Sequence, residues 1–291
     1  MKKSLIIILI LASLLVVSCK PEEPVIPSNY SSEYPVILLH GWMGRAVDFN
    51  SYADRLQEEG IAEKKSVIDS KSNASVCPDK WPVPVSVRAE YYSDANKDKG
   101  IEAYAVELHH AVDLVINCTN AEQVIIVGHS MGGLVARKYM VDYGDEKVHK
   151  LITLATPHHG FNNFTDAELL MKVLDIFTGR GEVEVKQMRP NSDFLNKLNL
   201  ADKDFRDKIV SIGTFTIGNG TSKIFDLSFL SDSDVVVKLD STRLEGAEYY
   251  QITGCSHTPI TDLRIGKNRG SINDANKCSQ AYDIVKKEVM D

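Results

Sequence analysis

Four β-branched residues, Val124-Ile125-Ile126-Val127, run without a break into Gly128-His129-Ser130-Met131-Gly132 and on into Gly133-Leu134-Val135-Ala136-Arg137. The run is too short for a helix and apolar on both faces, which predicts a strand buried inside a parallel sheet. Apolar residues from Leu134 to Met140 predict a helix directly after it. Only a sharp corner fits between the two. Gly128 and Gly132 remove the Cβ atoms that would collide as the backbone doubles back, so the Ser130 hydroxyl is left at the carboxyl edge of the sheet. The rest of the chain has to supply strands that end beside that corner.

Several segments do. Pro35-Val36-Ile37-Leu38-Leu39 predicts a strand that stops in His40-Gly41-Trp42-Met43-Gly44, a turn whose backbone N–H groups could receive an oxyanion. Val47 to Glu59 predicts a helix closed by Gly60. From Ile61 to Gly100 the pattern is poor. Val83, Val85 and Val87 alternate as in a strand, but Pro78, Pro82 and Pro84 point to an edge or an irregular loop, and Asn73 to Trp81 has no assignment. Ile101, Tyr104, Leu108, Ala111 or Val112, and Val115 recur at helical spacing, with His109 and His110 as solvated or packing residues of that helix. Lys150 to Thr153, Lys208 to Gly213 and Tyr249 to Thr253 read as further strands.

The segment Gly128 to Arg137 resembles the nucleophile elbow of bacterial triacylglycerol lipases of the α/β-hydrolase superfamily, including the small lid-poor Bacillus-type lipases. Other segments resemble the same family in the same order. They are His40-Gly41, Thr156-Pro157-His158-His159-Gly160, the run Arg189-Pro190-Asn191-Ser192-Asp193-Phe194-Leu195-Asn196-Lys197-Leu198-Asn199, and the stretch from Ser231 to His257. The resemblance implies an α/β-hydrolase fold, a mostly parallel sheet flanked by helices, with a small cap insertion at about 161–206. It implies Ser130 as nucleophile, Asp234 as acid and His257 as base, in the hydrolase order Ser, Asp, His. The N–H groups of Trp42 and Met131 become the oxyanion donors. Asp232 is the alternative acid, because two nearby aspartates in one loop cannot be told apart by pattern. In the family the turn carrying His158 and His159 supports the pocket wall, so neither is taken as the base. Cys255, two residues before the base, and Asn73 to Trp81 depart from the small lipases.

At the start of the chain, Lys2 and Lys3 precede an apolar run from Leu5 to Val17 that ends at Ser18-Cys19. The run is short for a membrane span and has the charged front of a signal peptide. Val16-Val17-Ser18-Cys19 resembles a bacterial lipobox, which implies removal of residues 1–18 and acylation of Cys19. Pro21, Pro24 and Pro27 among polar residues predict a lipid-anchored tether over 19–34, leaving 35–291 as one hydrolase domain. The expected location is the bacterial envelope, on the outer membrane or cell surface. Loss of Lys2 and Lys3 takes the formal charge from −7 to −9, which argues against nucleic acid as a partner. Cys77, Cys118, Cys255 and Cys278 allow three pairings in an exported protein; proximity favours Cys77 with Cys118 and Cys255 with Cys278, with free buried cysteines as the alternative. Their spacing suggests no metal site.

The expected activity is hydrolysis of carboxylic esters, acyl-lipid esters first, with no cofactor and by a monomer. The same triad serves thioesterases and acyltransferases, and a surface-anchored binding lipoprotein is the non-enzymatic alternative.

Overall fold

The computed structural model describes residues 30–42, 44–69, 77, 80–81, 84–91, 99–160, 182–215, 237, 239–255, 260–261 and 272–291. Among these residues seven strands form one sheet: β1 Val36–Leu39, β2 Glu63–Asp69, β3 Val85–Glu90, β4 Val124–His129, β5 Val148–Leu154, β6 Ile209–Phe215 and β7 Glu248–Thr253. The order is β2-β3-β1-β4-β5-β6-β7, and every neighbouring pair is parallel. The helices are α1 Asn50–Glu58, α2 Ile101–Thr119, α3 Met131–Tyr143, α4 Glu182–Gln187, α5 Asp193–Ala201, α6 Leu239–Thr242 and α7 Ile272–Met290.

Alternation along the central strands builds two cores. Val124 and Ile126 of β4 join Ile37 and Leu39 of β1 in a cluster with Leu108 and Val112 of α2 and Leu134 of α3. Ile125 and Val127 face the other way, with Val36, Leu38, Tyr52 and Leu56 of α1, and Tyr282 and Val285 of α7. Both faces of β4 are covered, and each such side chain contributes about 1.5–3 kcal/mol when removed from water. From β1 the chain goes out to β2, steps back to β3 between them, then crosses β1 to β4 and continues the other way. The winding direction therefore changes between β1 and β4. At such a point the connections leaving the two carboxyl ends diverge and open a crevice.

The strand expected at Val83–Val87 is Val85–Glu90, and it is neither an edge nor an irregular loop: β3 lies between β2 and β1. Pro84 sits before the first strand residue, where its carbonyl accepts from Glu63 N at 3.0 Å, so no ladder donor is lost. Arg88 disguises the burial, since it is only 7% exposed and donates to Lys65 O at 2.8 Å. The sequence reading has no counterpart for β2 or for α7; β2 carries Glu63, Lys64 and Lys65, the charged composition of an edge strand. The helix expected at Val47 to Glu59 is a 3-10 turn, Ala46–Phe49, followed by α1. Gly60, at φ +67°, closes it by donating to Gln57 O.

Ser31 and Ser32, in the segment expected as a tether, donate their backbone N–H groups to Gly60 O and Ile61 O. Ser32 Oγ also donates to Val289 O of α7 at 3.2 Å, and the Tyr34 ring stacks on His149. That part of the chain is docked on the sheet layer. Cys77 is bonded to Cys118 and Cys255 to Cys278, the pairing that proximity favoured. Among the described residues no helix is long and apolar enough to cross a membrane.

Candidate active site

Ser130 follows the last residue of β4 and caps α3 with φ +51° and ψ −122°. A non-glycine residue there is strained, and only an over-determined surround keeps it so. The surround is visible. Ser130 N donates to Leu154 O of β5 at 2.8 Å, and Gly133 N donates to Ser130 O at 3.1 Å. A Cβ at Gly128 would stand 2.7 Å from Gly133 N, one at Gly132 would stand 2.5 Å from His40 O, and one at Gly133 would stand 2.1 Å from Thr156 Oγ1. These glycines are fixed by contact with other backbone and with a buried threonine. Ser130 itself is 5% exposed.

The turn after β1 lies directly against the serine: a Cβ at Gly41 would fall 3.1 Å from Ser130 Cβ. Trp42, the next residue, packs partly buried on the α2–α3 face of the sheet. Met131 is the first residue of α3, where a backbone N–H has no acceptor within the helix and the helix dipole favours negative charge. Beneath the turn, the buried His40 bonds through Nδ1 to Gly41 O and through Nε2 to Glu90 Oε1, both at 2.8 Å. Glu90 Oε2 accepts Ala46 N–H at 2.9 Å. Burial alone would raise the Glu90 carboxyl, but hydrogen bonds from His40 and Ala46, with the Arg45 charge, hold it below the usual range.

On the other side of the elbow, Arg137 is fully buried in α3. Its Nε and Nη2 reach Asp202 Oδ2 at 2.6 and 2.5 Å, its Nη1 donates to His158 Nδ1 at 3.0 Å, and Nη2 also donates to Asn199 Oδ1 at 2.7 Å. Arg206 takes the other Asp202 oxygen at 2.8 Å. Burial pulls the guanidinium down to about 10, against the opposing charge of Asp202. Burial and the Arg137 charge push His158 well below its ordinary value. His158 Nε2 faces the Thr153 and Ser211 hydroxyls at 3.2 Å each, so both ring nitrogens are committed to the wall. This network ties the elbow helix to α5 and to the turn after β5.

A parallel sheet whose winding reverses at a strained serine has known relatives. A family model described as an alpha/beta hydrolase of unknown function (DUF915) matches residues 24–189. The chain belongs to this family. Among solved structures, the hydrolase resembles a Bacillus licheniformis lipase in its mature form, at TM-score 0.55 and 16% identity, over 91% of this chain and 96% of that one. It resembles a Listeria innocua gene product at 0.55 and 16%, over 87% and 94% of the two chains. The Legionella pneumophila phospholipase PlaB matches at 0.55 and 17%, over 88% of this chain and 63% of that one. At these identities the likeness is one of fold. A Coccidioides immitis protein named GPI inositol-deacylase is 38% identical over 76 residues, a stretch that is 24% of the hydrolase and only 6% of that protein.

Of the residues expected at the site, Ser130, Met131 and Trp42 come together where β4 and β1 end. Asp234, its alternative Asp232, His257 and Cys19, expected to carry the lipid, lie outside the described residues of the hydrolase. So does the 161–181 part of the expected cap; its remainder is α4, α5 and a 3-10 turn at Lys203–Lys208. What is described is where the flanking strands lead. β6 and β7 are parallel to β4, so their outgoing loops leave from the same edge as Ser130. The loop after β7 is held at both ends: Cys255 is disulfide-bonded to Cys278 of α7, and Ser51 Oγ donates to Thr261 O at 3.0 Å. Sequence reasoning missed Glu90, Asp202 and the role of Arg137. Arg137 gave a usable signal, a cation directly after the apolar run Leu134-Val135-Ala136; Glu90 gave none. Among the described residues no cluster of three or more His, Cys, Asp or Glu is arranged to hold a metal ion.

Proposed function

We propose that this hydrolase cleaves carboxylic esters by two-step acyl transfer to water. Ser130 Oγ attacks the ester carbonyl while His257 takes its proton; the tetrahedral intermediate collapses and the alcohol leaves with that proton. Water then attacks the acyl-enzyme with His257 as base, releasing the carboxylic acid and restoring the serine. Asp234 holds the imidazole in the required tautomer, and the N–H groups of Trp42 and Met131 hold the oxyanion, each donor lowering the barrier by about 3 kcal/mol. The observation that carries the reading is Ser130 at φ +51°, pressed against the Gly41 turn at the reversal of the sheet.

The substrate class we infer is an acyl-lipid ester. Support comes from the names of the relatives, a lipase, a phospholipase and an inositol-deacylase. We further propose that the protein is exported and anchored through Cys19, which would hold its catalytic edge close to lipid. The test is hydrolysis of p-nitrophenyl esters from acetate to palmitate, beside Ser130→Ala. Turnover that needs Ser130 and rises with chain length supports the reading. A folded protein without turnover across the series would sink it and leave acyl transfer to another alcohol or a binding role.

A further inference from the structure

The pair His40 and Glu90 sits under the Gly41 turn and is bonded to the peptide unit on which the oxyanion reading depends. That peptide joins Gly41 to Trp42. It is planar and trans, so its carbonyl and its N–H point in opposite directions. Fixing one fixes the other. Gly41 O is fixed by two donors, His40 Nδ1 at 2.8 Å and Gly44 N at 3.1 Å. Glycine suits this position because a Cβ would stand 3.1 Å from Ser130 Cβ and 3.0 Å from His129 Nδ1, a distance met only if those neighbours shift. Yet glycine is also the residue whose flanking peptide turns over most easily. A flipped Gly41–Trp42 peptide would present a carbonyl dipole where the Trp42 N–H should be and would repel a developing oxyanion.

The ring that prevents this is itself held on every side. His40 Nε2 bonds to Glu90 Oε1 at 2.8 Å, and Glu90 Oε2 is occupied by Ala46 N–H at 2.9 Å. Tyr91 stacks on the imidazole at 4.4 Å between centroids, 9° from parallel, and its hydroxyl donates to His40 O at 2.7 Å. Glu90 and Tyr91 reach this place because β3 pairs with β1 in a register that sets Ala89 beside Leu39. We propose that His40 and Glu90 are positioning residues that aim the Trp42 N–H by pinning the Gly41 carbonyl. The proposal rests on the reading of Ser130 as an acyl-transfer nucleophile with Trp42 as an oxyanion donor.

The test compares Glu90→Met, similar in volume but unable to bond His40, with Glu90→Gln, whose amide can still donate to His40 Nε2 and accept from Ala46 N. Two readouts are taken on each purified protein: kcat and KM for p-nitrophenyl butyrate, and amide hydrogen exchange of the peptide spanning His40 to Gly44. Glu90→Met is expected to lower kcat about 10- to 100-fold with KM within about twofold, part of the 10²–10³-fold range for losing one donor. It is also expected to speed exchange across the turn, while Glu90→Gln stays within about threefold of the parent on both measures. His40→Asn, too short to span Gly41 O and Glu90 together, should match Glu90→Met and replaces it should that variant not fold. Unchanged kcat and unchanged exchange in either folded variant would overturn the proposal, as would equal losses in Glu90→Met and Glu90→Gln. If the parent shows no Ser130-dependent turnover, the hydrolysis reading fails by itself, and the exchange comparison still decides whether the pair pins the turn.

Discussion

The ends of β4 and β7 solve one problem in two ways. β4 is central, paired with β1 and β5, and buried from Val124 to Gly128. Its serine is fixed by crowding: glycines packed against backbone within a few residues of the corner, and a helix that begins at once. Among the described residues β7 is the outer strand, paired with β6 alone, and its one buried residue is Ile252. The loop that leaves it is fixed instead by a covalent bond from Cys255 to α7 and by burial of Ile260 and Thr261 against α1. A side chain at a sheet edge can thus be held by what surrounds it or by cross-links at some distance. The first scheme tolerates no added atom, and the second no lost bond.

The largest effect should come from the partner side of the site. Asp234→Asn is expected to leave a folded protein whose turnover falls by about four orders of magnitude, whereas Asp232→Asn should stay within a few-fold; the reverse result in ester kinetics would move the acid to Asp232. Next comes the crowded corner. Gly132→Ala places a Cβ 2.5 Å from His40 O, and a backbone shift of about 1 Å there should cost about 100-fold in kcat. Normal turnover in that variant would show that crowding does not set the serine.

The third prediction tests the cross-link. Cys278→Ser opens a bond spanning 23 residues, with an expected loss of about 3 kcal/mol in denaturant unfolding and a fall in kcat of about tenfold. Cys118→Ser opens the other bond, spanning 41 residues, and should lower stability comparably while leaving kcat unchanged. Equal kinetic effects of the two would erase the contrast between them.

The smallest effect is on pH dependence. His158 is buried, and its folded pKa lies well below the ordinary value. The unfolded chain therefore binds this proton first as pH falls, and the folded state loses stability below about pH 6.5, by at most about 1.4 kcal/mol per pH unit for one such group. His158→Asn should flatten that part of the profile in denaturant titrations at pH 5 and 7; an unchanged slope would assign it to other groups.

The same contrast explains what could be read without a structure. The β4 corner is written in consecutive residues, because the glycines that its close contacts require lie within three residues of Ser130, and so is the turn at His40-Gly41. The disulfides followed from proximity alone. β2 left little apolar trace, since its edge position is kept by charge, and β3 was misplaced because prolines that precede a strand look like prolines within one. Glu90 lies 50 residues from His40 and Asp202 lies 65 from Arg137. Such pairs depend on strand register and on helix docking, which no local pattern encodes. The order Ser130, Asp234, His257 is what the family resemblance implies, and the substitutions at Asp232 and Asp234 are what test it.

The most direct test of the account is covalent. The purified protein is treated with a fluorophosphonate, and intact mass and peptide mapping are read beside Ser130→Ala. The account predicts one phosphonyl adduct per chain, on Ser130, and none in Ser130→Ala. A folded parent that takes up no adduct, or an adduct that persists when Ser130 is replaced, would contradict the assignment of this corner as the nucleophile.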